Sequence, residues 1–180
     1  LCVPTSNGSV SSTDAVSKVA DVNKTTGGAV LSRNELTICD AANTTEVTLN
    51  KTAINGQTEL IGAQLTIYKY DASKADGKGD KVGTTWTSAK GKEMTVKLED
   101  GKYVLEETAA EGAPVHDESG KTYQVIPSTV TFTVSNGSVS STDAVSKVDD
   151  VNKTTGGAVL TGTHFTICDA ATVTDVVINK

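Results

Sequence analysis

Aromatic residues are scarce in this chain of 180 residues, which has two Phe, four Tyr and one Trp. Histidine occurs only twice, which is too few for a His-rich metal site, so His116 and His164 are interpreted as surface or strand residues. The longest apolar runs, such as residues 176–178, are far too short to span a bilayer as a helix. The short apolar runs therefore argue against membrane insertion, and the net charge of −6 without a basic stripe argues against a nucleic-acid partner.

Cysteine is also sparse, and Cys2, Cys39 and Cys168 form an odd set without CxxC spacing. This pattern argues against a disulfide framework or a zinc site, and such cysteines usually pack as small hydrophobic residues in strands. The sequence has no Ser-His-Asp order, phosphate-binding loop or calcium-loop spacing, so no cofactor and no metal are expected. The chain is therefore not expected to turn over a substrate as an enzyme.

Threonine, serine, valine, glycine and aspartate are abundant instead. The branched Cβ atoms of threonine and valine suit a pleated surface and favour strands. Short alternating segments predict strands at residues 45–51, 63–70, 82–87, 94–98, 102–108, 123–126, 129–134, 138–140 and 163–169. With no helical period between them, these segments predict an all-β protein, a sandwich of about seven to eight strands.

Turns and loops are predicted between these strands. Asn-Gly pairs at 55–56 and 136–137 predict tight turns, the second of them inside a hairpin. Polar stretches rich in glycine, serine, lysine and aspartate predict loops at 71–81, at 111–121 and from 141 to 157.

The chain repeats itself at an offset of 129 residues, from Ser6 to Ser135. Residues 6–31 and 135–160 are identical except that Ala20 is replaced by Asp149, and a looser match continues to the end of the chain. The match fails before Ser6. A period of this length corresponds to one domain rather than to a solenoid unit.

The period predicts three parts in a tandem array. Residues 1–42 are interpreted as the C-terminal part of a preceding repeat, and residues 43–172 as one complete repeat. Residues 173–180 are interpreted as the first strand of a following repeat. The expected partners of the complete repeat are therefore its neighbours in the same chain.

Four segments resemble, in the right order, the collagen-adhesin B-type domains of Gram-positive surface proteins and pilins. LNKTAINGQTELIGAQLTIY is similar to the opening of those domains, and GKYVLEETAA to their Gly-x-Tyr-x-Leu-x-Glu segment. VTFTVSNGSV and HFTICDA are similar to the next strand and to the terminal strand. The resemblance covers roughly residues 45–170 and implies an immunoglobulin-like, prealbumin-like β-sandwich.

In that family a lysine on the first strand bonds covalently to an Asp or Asn on the last strand, and a buried acid catalyses the reaction. The resemblance implies that Lys51 and Asp169 form this isopeptide bond here and that Glu107 is the catalyst. Strand alternation places each of the three on the apolar face of its strand. Three ionisable groups are costly to bury unless they neutralise one another.

Other residues remain candidates for the same chemistry. Asn152 is an alternative partner for Lys51, because the residues around it also look like a terminal strand that ends in Asn. Asp40 and Lys180 are the equivalents of Asp169 and Lys51 in the neighbouring repeats, and each lacks its own partner in this chain.

The resemblance implies a structural stalk repeat of an extracellular, cell-wall-anchored adhesin or fibrous surface protein of a Gram-positive bacterium. Host extracellular matrix would then be bound through other domains. One alternative is a sortase-polymerised pilus shaft subunit, although no linking-lysine motif or sorting signal is visible. Another is a ligand-binding module for a host matrix protein, for which Trp86, Tyr68 and Tyr70 are the only hints.

Overall fold

The computed structural model describes residues 5–6, 9–24 and 26–173. These residues form β-strands and two short 3-10 helices, Val19–Asp21 and Val148–Asp150. The all-β prediction is therefore confirmed. Within the described residues no helix is long and apolar enough to cross a membrane. The chain divides into two compact units, and the boundary in the sequence lies between Asn43 and Thr44.

The smaller unit contains five short strands, which are β1 Thr5–Ser6, β2 Ser9–Val10, β3 Ala15–Val16, β4 Gly28–Ser32 and β5 Glu35–Cys39. Strands β1 and β2 form an antiparallel pair. Strand β3 runs parallel to β4, and β4 pairs antiparallel with β5 in a hairpin.

The larger unit contains the remaining strands of the described chain. They are β6 Thr44–Ala53, β7 Ala63–Tyr70, β8 Lys78–Thr87, β9 Met94–Glu99, β10 Gly101–Ala109, β11 Val115–His116, β12 Thr122–Gln124, β13 Val130–Ser135, β14 Ser138–Ser140, β15 Ala144–Val145, β16 Gly157–Thr161 and β17 His164–Ala171.

Two sheets of the larger unit enclose its main core. One sheet has the strand order β14-β13-β10-β7-β8. The other is centred on β17, with β6 and then β9 on one side and β16 and then β15 on the other, while β12 and β11 continue from the end of β17. Apolar side chains from both sheets, among them Leu49, Leu105, Phe132 and Phe165, form one buried cluster. The rings of Phe132 and Phe165 meet edge to face, with centroids 5.1 Å apart.

Strand β6 follows the alternation that the sequence predicts. Val47 and Leu49 are completely buried, whereas Glu46 is exposed and Thr48 is half-buried. The predicted hairpin turn at Asn136 and Gly137 is also present, between β13 and β14. Both turn residues have positive φ angles, 49° and 80°, which matches the right-handed twist of the paired strands.

The structure departs from the predicted loops in three places. Strand β8 begins at Lys78, inside the predicted loop 71–81, and β11 lies inside the predicted loop 111–121. Strands β15 and β16 and the second 3-10 helix fall where no strand was predicted. Neither of the first two segments needs alternating apolar residues. Strand β8 lies at a sheet edge, and β11 has only two residues.

Candidate functional site

Strands from both sheets bring three ionisable side chains together in the core. Lys51 lies on β6 and Asp169 on β17, which run parallel as direct neighbours. Their register pairs Lys51 with Ile167 and Ala53 with Asp169. Because side chains two residues apart on a strand share a face, the lysine and the aspartate point the same way. Glu107 reaches the same point from β10, in the opposite sheet.

The lysine amine contacts both carboxyl groups. Lys51 Nζ lies 2.5 Å from Asp169 Oδ1 and 3.1 Å from Glu107 Oε1. It also donates a hydrogen bond to the carbonyl oxygen of Ile167, at 3.3 Å. The three charged side chains are at most 1% exposed. A lysine is thus held against two acids in a site without access to bulk water.

Glu107 is fixed in place by the backbone. The amide N–H of Ile126 donates to Glu107 Oε2 at 3.0 Å, which leaves Oε1 to face the lysine. Sequence reasoning did not find this contact, because a backbone donor in an irregular segment has no residue signature. Glu106, the neighbour that alternation predicts to face outward, is only half-buried and pairs with Lys78 at 2.6 Å.

The charges in this site do not balance if all three groups are ionised. One cation faces two carboxylates, and among the described residues no hydrogen-bond donor other than the lysine ammonium reaches Glu107 Oε1 or either oxygen of Asp169. Burial raises the pKa of Asp169 from 3.8 to about 8. Lys51 opposes this shift, whereas the nearby negative charge of Glu107 adds to the rise. Asp169 therefore favours its protonated, neutral form near neutral pH.

The opposite face of the same two strands carries a second buried contact. Thr52 Oγ1 and Cys168 Sγ lie 3.5 Å apart, each next in sequence to a member of the charged cluster. Burial raises the pKa of the Cys168 thiol. Cys168 and the half-buried Cys39 are both free thiols, in agreement with the interpretation of these cysteines as strand residues. Cys2 lies outside the described residues.

Neither Asn152 nor Asp40 is buried, unlike the three residues of the cluster. Asn152 is exposed and its side-chain oxygen accepts backbone hydrogen bonds from Thr154 and Thr155, so it stabilises a turn. Asp40 is exposed in the smaller unit, just after β5. Lys180 lies outside the described residues.

Each of the two histidines lies at the end of a strand. His116 on β11 contacts the carbonyl oxygen of Asp117 through Nδ1, and His164 on β17 lies 3.5 Å from a carboxyl oxygen of Glu93. Within the described ranges no group of three or more His, Cys, Asp or Glu side chains is arranged to hold a metal ion.

A family model described as the SpaA prealbumin-like fold domain matches residues 45–147. The chain belongs to this SpaA family. The match includes Lys51 and Glu107 and ends before Asp169. Membership supports a structural domain of the surface adhesin and pilin type. No curated protein matches the chain.

Two solved structures of a pilus adhesin show a partial likeness to this SpaA-family chain. The C-terminal fragment of SpaC from Lactobacillus rhamnosus GG is 19% identical, with a TM-score of 0.46, and the match covers 80% of this chain and 52% of that one. SpaC from the same organism in its open conformation is 17% identical, with a TM-score of 0.47 and coverage of 88% and 20%. This chain thus spans about half of the first protein and a fifth of the second.

Proposed function

We propose that residues 43–172 form a structural stalk repeat of a bacterial surface protein, stiffened by an isopeptide bond between Lys51 and Asp169 that Glu107 catalyses. The observation that carries the proposal is the buried contact of 2.5 Å between the lysine amine and the aspartate carboxyl, with a second carboxyl 3.1 Å from the same amine. The SpaA membership supports the structural role. An extracellular position, anchored to the cell wall of a Gram-positive bacterium, is part of the same proposal.

Burial supplies the reactive form of the site. If Lys51, Glu107 and Asp169 were all ionised, the cluster would have a net charge of −1. A neutral cluster is less costly to bury, and it requires one additional proton. One distribution of these protons leaves Lys51 as a neutral amine and both Asp169 and Glu107 as neutral acids. The neutral amine is a nucleophile, and the protonated Glu107 can polarise the carboxyl group of Asp169 by a hydrogen bond.

The bond then forms with loss of one water molecule. Lys51 Nζ attacks Cγ of Asp169 while the protonated Glu107 gives its proton to a carboxyl oxygen of Asp169. The Glu107 carboxylate then takes a proton from the nitrogen and passes it to the hydroxyl oxygen that departs as water, and it recovers a proton from the protonated amide. The C–O bond breaks, the new C–N amide bond remains, and Glu107 ends in the protonation state in which it began. The folded sandwich holds the reactants in place, an advantage worth roughly 7–11 kcal/mol in well-oriented systems. The reaction occurs once per molecule, so it is self-processing rather than turnover.

The position of this bond suits a domain that bears tension. Force applied along the chain enters at β6, near Thr44, and leaves after β17, near Ala171. A Lys51–Asp169 amide passes that force directly from the first strand to the last and leaves the intervening sheets unloaded. Without the bond, unfolding would release about 120 residues, or about 400 Å of extended chain. The neighbouring repeats of the same chain are the expected partners in carrying this load.

Intact mass tests the proposal. We expect the folded protein to weigh one water molecule (about 18 Da) less than its sequence, and a cross-linked peptide to join Lys51 to Asp169. Lys51→Met is expected to have the full mass of its own sequence, whereas Asn152→Ala is expected to lose water like the parent. Asp169→Asn is expected to lose ammonia and give the same amide. A parent protein of unshifted mass would rule out the bond.

A further inference from the structure

The smaller unit has nearly the same backbone arrangement as the segment that closes the larger one. The β4-β5 hairpin pairs Leu31 with Leu36, and the β16-β17 hairpin pairs the equivalent Leu160 with Phe165. In both units a short parallel strand precedes the hairpin, with β3 beside β4 and β15 beside β16. The pairing of β1 with β2 has the register of the end of the β13-β14 hairpin.

The two copies differ in what covers them. Leu36 and Ile38 are 39% and 63% exposed, whereas the equivalent Phe165 and Ile167 are completely buried. Asp40 is likewise exposed, while the equivalent Asp169 is 0% exposed. One face of the smaller unit thus presents apolar side chains and a carboxyl group to solvent.

A further position is also exposed in the smaller unit and covered in the larger one. Val19 is 65% exposed, and the equivalent Val148 is half-buried against Gly56, in the turn after β6. The uncovered positions are therefore the ones that, in the larger unit, contact β6, the turn after it and the opposite sheet.

We propose that the face of the smaller unit formed by Leu36, Ile38 and Asp40 is a docking surface for the sandwich body of a preceding repeat in the same polypeptide. That body would occupy, relative to the smaller unit, the place of residues 44–134 in the larger one, and it would end in a different sequence, because residues 1–5 do not match residues 130–134. Its first strand would add in parallel to β5 as β6 adds to β17, and its opposite sheet would cover the apolar residues. The part of the proposal that concerns Asp40 rests on the proposed isopeptide chemistry.

Chain continuity selects this occupant over a second copy of the protein. In the larger unit, β13 is the last strand of the body and runs directly into the turn at Asn136 and Gly137. The equivalent entry point of the smaller unit is Ser6, on β1, whose backbone already pairs as that hairpin does. A body joined at Ser6 would be separated from β4 and β5 by the same number of residues as the body of the larger unit is from β16 and β17. The lysine of its first strand would then reach Asp40 and form an amide with loss of one water molecule.

The proposal is tested with an extended chain in which a second copy of residues 44–134 is joined directly to Ser6 of the protein. We expect this chain to lose two water molecules instead of one and the β4-β5 hairpin to become protected from hydrogen exchange and proteolysis. In the extended chain, Asp40→Ala is expected to lose one water while the hairpin stays protected. Leu36→Phe, which restores the ring found at the equivalent Phe165, is expected to increase the protection.

Several results would overturn the inference. Exchange of the hairpin as fast in the extended chain as in the original protein would show that the body does not dock. A dimer of the original protein in which Leu36 and Ile38 are protected would identify a second copy as the occupant. Loss of no water at all would refute the isopeptide chemistry, and hairpin protection would then decide on docking alone. Loss of one water, located at Asp169, would preserve that chemistry and refute the bond to Asp40.

Discussion

Replacing Glu107 with Gln separates the covalent bond from the packing around it. In the parent protein the N–H of Ile126 donates to Glu107 Oε2 at 3.0 Å. Glutamine has nearly the size of glutamate and keeps an oxygen that can accept this hydrogen bond. Lys51 and Asp169 remain as a pair of opposite charges in contact. Only the ability to accept and return a proton is lost, so we expect Glu107→Gln to fold but not to cross-link.

The expected loss of stability follows from the size of the loop that the bond closes. Lys51 and Asp169 enclose about 120 residues, and cross-linking a loop of that length stabilises a fold by about 5 kcal/mol, mainly by restricting the unfolded chain. For a domain of this size, 1 kcal/mol corresponds to about 3–5 °C in Tm. The Tm of Glu107→Gln should therefore lie about 15–25 °C below that of the parent protein.

Calorimetry and intact mass on the same samples measure both effects. Glu106→Gln is the matched control, because Glu106 is the next residue, is half-buried and pairs with Lys78 on the sheet surface. It should still lose water and should change the free energy of unfolding by no more than about 1 kcal/mol. Water loss at the Lys51–Asp169 pair in Glu107→Gln would refute the catalytic role. A variant without the bond whose Tm stays within a few degrees of the parent would refute the loop argument.

Three further predictions concern the core around the site. Burial raises the pKa of Asp169 from 3.8 to about 8, so folding takes up a proton between these values. Lys51→Met, which cannot cross-link, should therefore lose about 1.4 kcal/mol of stability per pH unit between about pH 5 and pH 8, measured by denaturant unfolding; a flat profile would contradict this. Gly156→Ala should cost about 3 kcal/mol, because φ is +75° and the added Cβ would collide with the carbonyl oxygen of Cys168. Gly162→Ala, with φ +62° and open space around the new Cβ, should cost only about 1 kcal/mol, and equal Tm losses for the two would refute the steric argument. The fully buried thiol of Cys168 should resist alkylation in the native protein and react in denaturant, and rapid native labelling would contradict its burial.

Much of the fold is encoded locally. Period-two alternation identified β6, β7, β10 and β13 to within two residues, because each has one face in the core and one outside it. The same alternation placed Lys51 on the inner face with Val47 and Leu49, and an Asn-Gly pair is enough to specify the turn at 136–137. The first four residues of the edge strand β8 and the short strands β11 and β15 escaped prediction, because edges and short pairings impose no apolar pattern on the sequence.

The sequence alone determined the strand faces and the 129-residue repeat, since both are written in the order of residues along one chain. Only the tertiary structure decided which acids meet Lys51, because that depends on which strands become neighbours. The parallel pairing of β6 with β17 brings Asp169 to the lysine, and the packing of the opposite sheet brings Glu107. Tertiary structure also separated two nearly identical segments, since burial depends on what lies opposite a residue: Ile167 is covered and Ile38 is not.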